Sequence, residues 1–252
     1  MVTKTINSSV FTPTWPAAAL AAAKVGALQT TRQCGVSQGV YQGFNLGYHV
    51  GDDNALVAQN RALLNACLPA PAHYVQQVHG THIHILSDQS DTSHIEADGL
   101  FTRCVQTPLA IMTADCLPVL LASDDGEEIA ALHCGWRSLQ GGIIEKAIPL
   151  FNAPAAKISA WLGPAIGPLA FEVGAEVKAQ FLALDSAHEL AFKPHGDKFL
   201  ANLPLLATQK LKGLGVTAIA DAQQCTYSLT EQYFSYRRDG QTGRMASVIW
   251  RK

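Results

Sequence analysis

The sequence lacks most of the features that assign a chain quickly. No apolar run approaches the ~18 residues that a membrane-spanning helix needs, so no membrane partner is expected. Lysine and arginine total 18 against 20 acidic residues, a net charge of -2 with histidine neutral. Without a basic excess, a nucleic-acid partner is not expected either. The six cysteines show no C-x-x-C and no paired spacing. That argues against a disulfide framework and for thiols that fill the core of a cytoplasmic protein. There is no G-x-S-x-G, no G-x-G-x-x-G and no Walker loop, which removes the common serine hydrolases and nucleotide binders. Repeats and low-complexity linkers are absent as well.

What is present is an ordinary globular composition. The chain has 252 residues, 48% hydrophobic and 15% charged, enough for one domain spanning 1–252 with a large core. The stretch 17–23 is apolar but is preceded by Pro13, Trp15 and Pro16. It reads as a helix following a short strand, not as a signal peptide. Residues 30–51 are rich in glycine, asparagine and glutamine and read as turns. Asp52 or Asp53 then caps a helix to about Cys67, with Leu56, Leu63, Leu64 and Cys67 facing inward. Strands are expected at 74–78, 82–86, 128–133, 158–162, 216–220 and 245–251. The run 108–122, broken by Pro118, reads as strand, turn and strand. Helices are expected at 138–151, 173–184 and 203–214. This alternation has no regular βαβ period, which indicates a mixed sheet packed between helices.

Three residues carry the chemistry. His79 lies in Q-V-H-G, Cys116 in T-A-D-C-L-P-V and His133 in L-H-C-G-W-R-S, each expected on or at the end of a strand. Two imidazoles and a thiolate suit zinc, and three protein ligands leave the open position that a catalytic site uses. Their separations match no local zinc motif, so ligation depends on convergence in space. The same residues would equally serve a cysteine hydrolase, with the Cys116 thiolate activated by His79 or His133. His82 and His84 form an H-x-H without a nearby third ligand. Arg137 and Ser138 open the helix that follows His133, where unpaired N–H groups and a guanidinium suit an anion. Arg61 is a second candidate. Asp115, on the opposite strand face from Cys116, is expected to support the site and not to act in it.

The order of signatures goes further. Asn45-Leu46-Gly47, Asn60-Arg61, Gln77-Val78-His79-Gly80, Ala97-Asp98-Gly99 and Thr113-Ala114-Asp115-Cys116 occur in sequence. His133-Cys134-Gly135-Trp136-Arg137, the 162–167 segment L-G-P-A-I-G, S-Y-R-R-D-G at 235–240 and T-G-R at 242–244 follow. In these the chain resembles the laccase-domain family, also called purine nucleoside phosphorylase-like or peptidoglycan editing factor proteins and formerly polyphenol oxidases. The resemblance covers about residues 30–250. It implies an α/β fold, a mixed-sheet layered α/β/β/α sandwich related to toxin deamidase domains. It also implies metal ligands at His79, Cys116 and His133, with zinc ranked before copper. The activities it implies are phosphorolysis of purine nucleosides and methylthioadenosine, and deamination of adenosine. Nucleoside and phosphate would then be the small-molecule partners, with phosphate beside Arg137 or Arg61. Cys134 and Ser138 stand where the family usually has alanine and glycine, and Arg32-Gln33-Cys34-Gly35 departs from its R-x-G-G. The editing-factor name keeps a second class open, a cysteine hydrolase or amidase acting on cell-wall peptide material. A non-catalytic metal- or nucleoside-binding module is the third.

Overall fold

The computed structural model describes residues 9–16, 24–87 and 92–252; the helix expected at 17–23 lies outside them. In chain order the strands are β1 (Val10–Phe11), β2 (Val25–Thr30), β3 (Ile83–Leu86), β4 (Gly99–Thr102), β5 (Leu109–Thr113), β6 (Leu117–Ser123) and β7 (Ile129–Cys134). They continue with β8 (Ile158–Leu162), β9 (Glu172–Val173), β10 (Phe192–His195), β11 (Lys198–Ala201), β12 (Ala218–Asp221) and β13 (Met245–Arg251). The helices are α1 (Asn54–Asn65), α2 (Trp136–Gln140), α3 (Ile143–Ala147), α4 (Ala175–Leu182), α5 (Leu203–Gly213) and α6 (Tyr236–Asp239).

Six strands form a mixed sheet in the order β12-β8-β6-β7-β4-β3, and four form a sheet in the order β1-β2-β13-β5. The second is antiparallel throughout, whereas the first has parallel pairs at both edges. A small third sheet joins β10, β11 and β9.

Side-chain alternation along the strands dictates how these layers stack. On β6, Leu117, Val119 and Leu121 enter one apolar cluster with Ile143, Ile144, Phe181, Leu206 and Leu211 of the helices. Leu120 and Ala122 point the other way, into a cluster shared with Leu109, Ile111 and Ile249 of the facing sheet. The facing sheet repeats the pattern, turning Ala110, Met112, Ala246 and Val248 outward against Leu64 of α1. The order is therefore helix, sheet, sheet, helix. Both faces of β6 and β7 are covered, and every residue in them is buried, which explains their unbroken apolar runs.

Several expected elements differ in detail. Residues 74–78 are not a regular strand. Isolated bridges join His73 to Leu109 and Gln76 to Glu96, and the Gln77 side-chain amide pairs with both backbone groups of Met112 at 2.8 Å. A side chain thus takes the edge of β5 that a strand would have used. The helix expected at 138–151 begins earlier, at Trp136, and breaks at Gly141-Gly142, where Gly142 adopts φ 89. Asp53 caps α1, but its buried residues are Val57, Asn60 and Leu64, and Cys67 is exposed. Of the six cysteines, all free, only Cys134 is buried; the thiols do not generally fill the core.

Candidate metal centre and its cavity

His133 is placed by strand parity. It follows Ile129 and Ala131 on the β7 face that looks towards the second sheet. At the strand end this face opens, and the imidazole emerges there while only 3% exposed. Cys134 points oppositely, into the helix-side cluster. Burial pushes its thiol well up, and Glu145 adds to the effect. Cys134 is therefore packing, not a ligand.

Cys116, expected within a strand, and His79, expected at the end of one, both lie in bends. Cys116 sits in the tight connection between β5 and β6, next to Asp115 at φ 94. His79 adopts φ 59 in an irregular segment. Both left-handed conformations are uncommon for residues with a side chain, and a carboxylate grips each turn. Asp98 accepts the N–H groups of Val78, His79 and Gly80 at 3.2, 2.9 and 2.6 Å. Its Oδ1 also lies 2.7 Å from His133 Nδ1. One carboxylate thus fixes two of the three candidate ligands. Asp115 accepts the hydroxyls of Thr226 and Ser235 at 2.6 and 3.1 Å and the Arg237 N–H at 2.6 Å. It binds the Cys116 turn to the C-terminal region, from within that bend and not from the strand face expected for it.

The three donor atoms all lie within 4.8 Å of one another. Cys116 Sγ is 3.8 Å from His79 Nε2, and the two imidazoles meet edge to face at 4.8 Å. Tetrahedral zinc with bonds of ~2.0–2.3 Å spaces its donors by roughly 3.5 Å, so small side-chain movements complete the set. Electrostatics favour the ligating form of the sulfur and pair it with a protonated His133, which gives up that proton when an ion binds. Burial would push the Cys116 thiol up, but the His133 charge and hydrogen bonds to both imidazoles outweigh it and bring it down to about 6. Burial disfavours His133 protonation, yet the Cys116 charge and the Asp98 hydrogen bond raise it to about 9. Burial alone would raise Asp98; the hydrogen bond and charge of His133, then Gly80 and Val78 N–H, hold it below the ordinary carboxylate range. The sulfur is thus poised as thiolate. Asp98 occupies His133 Nδ1, which leaves Nε2 to face the centre. Among the described residues this is the one cluster of its kind.

Gly135 makes the convergence possible. A Cβ there would lie 3.0 Å from Cys116 Sγ and 3.1 Å from His79 Cδ2. The cluster forms the floor of a cavity of about 510 Å³ whose walls include Trp136, Phe171, Arg137 and Arg244, within the size range of small-molecule sites. Arg137 stands exposed at its rim, 4.5 Å over the Trp136 ring. The helix it opens has five residues. Arg61 is not brought to the cavity. It is clamped between Tyr48 and Tyr74 at 4.3 and 3.9 Å and donates to the Leu46 carbonyl. His82 and His84 do not line the cavity. Asp98 and Gly135 stood in legible motifs, but their roles depend on contacts across the fold.

Frame and site together define a layered α/β/β/α protein with a solvent-facing cluster of two histidines and a cysteine that could hold a metal ion. The chain belongs to the family described as multi-copper polyphenol oxidoreductase laccase, whose model matches residues 26–252. A purine nucleoside phosphorylase of Haemophilus influenzae is 45% identical over 231 residues, covering 90% of this chain and 94% of that one. The purine nucleoside phosphorylase YfiH of Escherichia coli K12 is 44% identical over 245 residues, 96% of this chain and 99% of the relative. Among solved structures, a Neisseria meningitidis protein superposes with a TM-score of 0.90 at 40% identity, covering 97% of this chain and 99% of its own. Bacillus licheniformis YfiH gives 0.87 at 28% identity, with 90% and 93% covered.

Proposed function

We propose that this chain is a zinc-dependent purine nucleoside enzyme that cleaves purine nucleosides and methylthioadenosine with phosphate and deaminates adenosine. The observation that carries the reading is the convergence of His79, Cys116 and His133 on the floor of a cavity of nucleoside size. The names of its relatives supply the substrate class. His79, Cys116 and His133 would hold the ion, which when bound supplies Lewis acidity. Asp98 fixes the tautomer and aim of His133. Trp136 and Phe171 offer aromatic walls against which a purine can lie, and Arg137 meets the substrate at the rim. Phosphorolysis replaces the bond from C1′ to the base nitrogen by a bond from C1′ to a phosphate oxygen, and the base leaves with a proton.

Zinc is preferred to copper because the set contains a thiolate and is single. A multicopper oxidase needs several coppers ligated mainly by imidazole, and the whole chain has nine histidines. A cytoplasmic location suits the six free thiols. No helix among the described residues is long and apolar enough to cross a membrane.

One observation favours a second reading. Cys116, His133 and Asp98 also line up as nucleophile, base and orienting carboxylate, as a cysteine hydrolase or amidase would require. A thiol nucleophile needs one imidazole, however, and His79 brings a second to the same sulfur. The test combines metal analysis of the purified protein with product analysis for inosine, with and without phosphate, and for adenosine. About one zinc per chain, with hypoxanthine formed only when phosphate is present, is expected. Activity that survives complete metal removal but is abolished by thiol alkylation would replace this reading by the hydrolase.

A further inference from the structure

Three arginines line the cavity and Arg61 packs outside it; of these four, three are committed or solvated. Arg61 lies between two tyrosines away from the cavity. Arg137 is exposed over Trp136. Arg237 is exposed, donates to the Glu172 carbonyl and covers Phe171 at 5.4 Å. Arg244 differs. It is half-buried in the cavity wall, and among the described residues no carboxylate lies within ion-pair distance of it. Its Cζ lies 6.0 Å over the Tyr236 ring and its Nη1 donates to the carbonyls of Thr242 and Gly243 at 3.0 Å, but Nε and Nη2 make no hydrogen bond among the described residues. Burial weighs against its charge, and the groups that most offset this are Cys116 and Asp115. Both are already engaged, Cys116 with the imidazoles and Asp115 with three donors.

The fold invests in this position. Arg244 stands at the head of β13, where Met245 pairs with Thr113 beside the Cys116 turn. Its N–H donates to Asn45 Oδ1 and its carbonyl accepts from Leu46. A Cβ on Gly47 would come 2.9 Å from Arg244 Cγ, so a bare glycine makes room for the stem. Thr113, which lines the same cavity, has a buried hydroxyl without a partner among the described residues. A desolvated guanidinium with half its fork unused calls for an anion, and the fork matches a tetrahedral oxyanion in two-point contact.

We infer that Arg244 is the principal anchor of a subsite for free inorganic phosphate in the inner wall of the cavity, with Thr113 beside it and Gly47 as its positioning residue. This places phosphate deeper than Arg137, and it rests on the phosphorolytic reading for its biological use. The test is binding of inorganic phosphate to the purified protein by calorimetry, without nucleoside, so that an absence of phosphorolysis leaves it decidable. Arg244→Gln should weaken phosphate binding by about ten- to hundredfold, with metal content unchanged, and Arg244→Lys should recover part of the loss. Gly47→Ala, whose backbone at φ -93 accepts a side chain, should weaken phosphate binding with Arg244 intact; it serves if the arginine variants fail to fold. Where phosphorolysis is measurable, the KM for phosphate should rise far more than the KM for inosine. Failure of the native protein to bind phosphate, or unchanged affinity in Arg244→Gln and Gly47→Ala, would overturn the assignment. So would Arg244-dependent binding of inosine 5′-monophosphate without Arg244-dependent binding of inorganic phosphate, which would make a nucleotide phosphoryl group the ligand.

Discussion

Cys116 supplies the one anionic donor of the cluster, so the residue scale begins with its loss. Cys116→Ala should retain the fold, because the turn is held by the Asp115 carboxylate and not by the thiol. Metal analysis should nevertheless show most of the zinc gone, and nucleoside turnover should vanish with it; full zinc occupancy would rule out the ligand assignment. Asp98→Asn keeps the shape and removes the charge that three N–H groups and His133 share. Loss of such an orienting partner commonly costs about 10–100-fold in metal affinity, which competition with a calibrated chelator would read. Gly135→Ala is the subtler case. Gly135 has φ -59, a value open to any residue, so the backbone is not the obstacle. The new methyl presses on Cys116 Sγ and His79 Cδ2. Overpacking of this kind costs about 1–3 kcal/mol. The cost should appear as weaker zinc binding with little change in melting temperature, because the crowded atoms are the donors themselves.

At the scale of elements, what could be read from the sequence was periodic and local. Strands β6, β7, β8 and β13 were legible because layers on both faces make them continuous apolar runs, and helices α1 and α5 because an apolar stripe, or the Asp53 cap, answers to one neighbouring layer. Residues 74–78 were not, because the competitor of strand pairing is the Gln77 side chain acting on Met112, 35 positions away. The helix break at Gly141-Gly142 was masked by an inner stripe, Ile143, Ile144 and Ala147, that runs on in the expected phase. The ligand types were legible from chemistry, whereas their turns were not, since φ 59 at His79 and φ 94 at Asp115 exist only where distant groups enforce them. The break offers a clean measurement. Gly142→Ala forces a side chain into the left-handed region at φ 89, a cost of about 1–2 kcal/mol. For a chain of this size the melting temperature should fall by roughly 2–8 °C. An unchanged value would mean that α2 and α3 can merge into one helix without penalty.

For the molecule as a whole, the feature with the widest reach is the position of β13. It lies between β2 and β5, pairing Val25 with Arg251 on one side and Leu109 with Ile249 on the other. An inner strand of the four-stranded sheet is therefore drawn from the far end of the described chain. At ~5–20 residues per second, β2 leaves the ribosome roughly 10–40 s before its partner. Until β13 arrives, β2, and β5 from the moment it is made, have apolar faces and unfilled hydrogen bonds, the exposure that calls for chaperone shelter. The partners of Asp115, namely Thr226, Ser235 and Arg237, arrive equally late. All three ligands are thus synthesised long before anything holds the Cys116 turn in place. The expected consequence is that a nascent chain cannot compete for zinc, and that the ion is acquired by the finished protein. In refolding from denaturant, zinc uptake should track the slow recovery of tertiary structure; a burst of tight binding ahead of it would show that the ligands organise one another unaided.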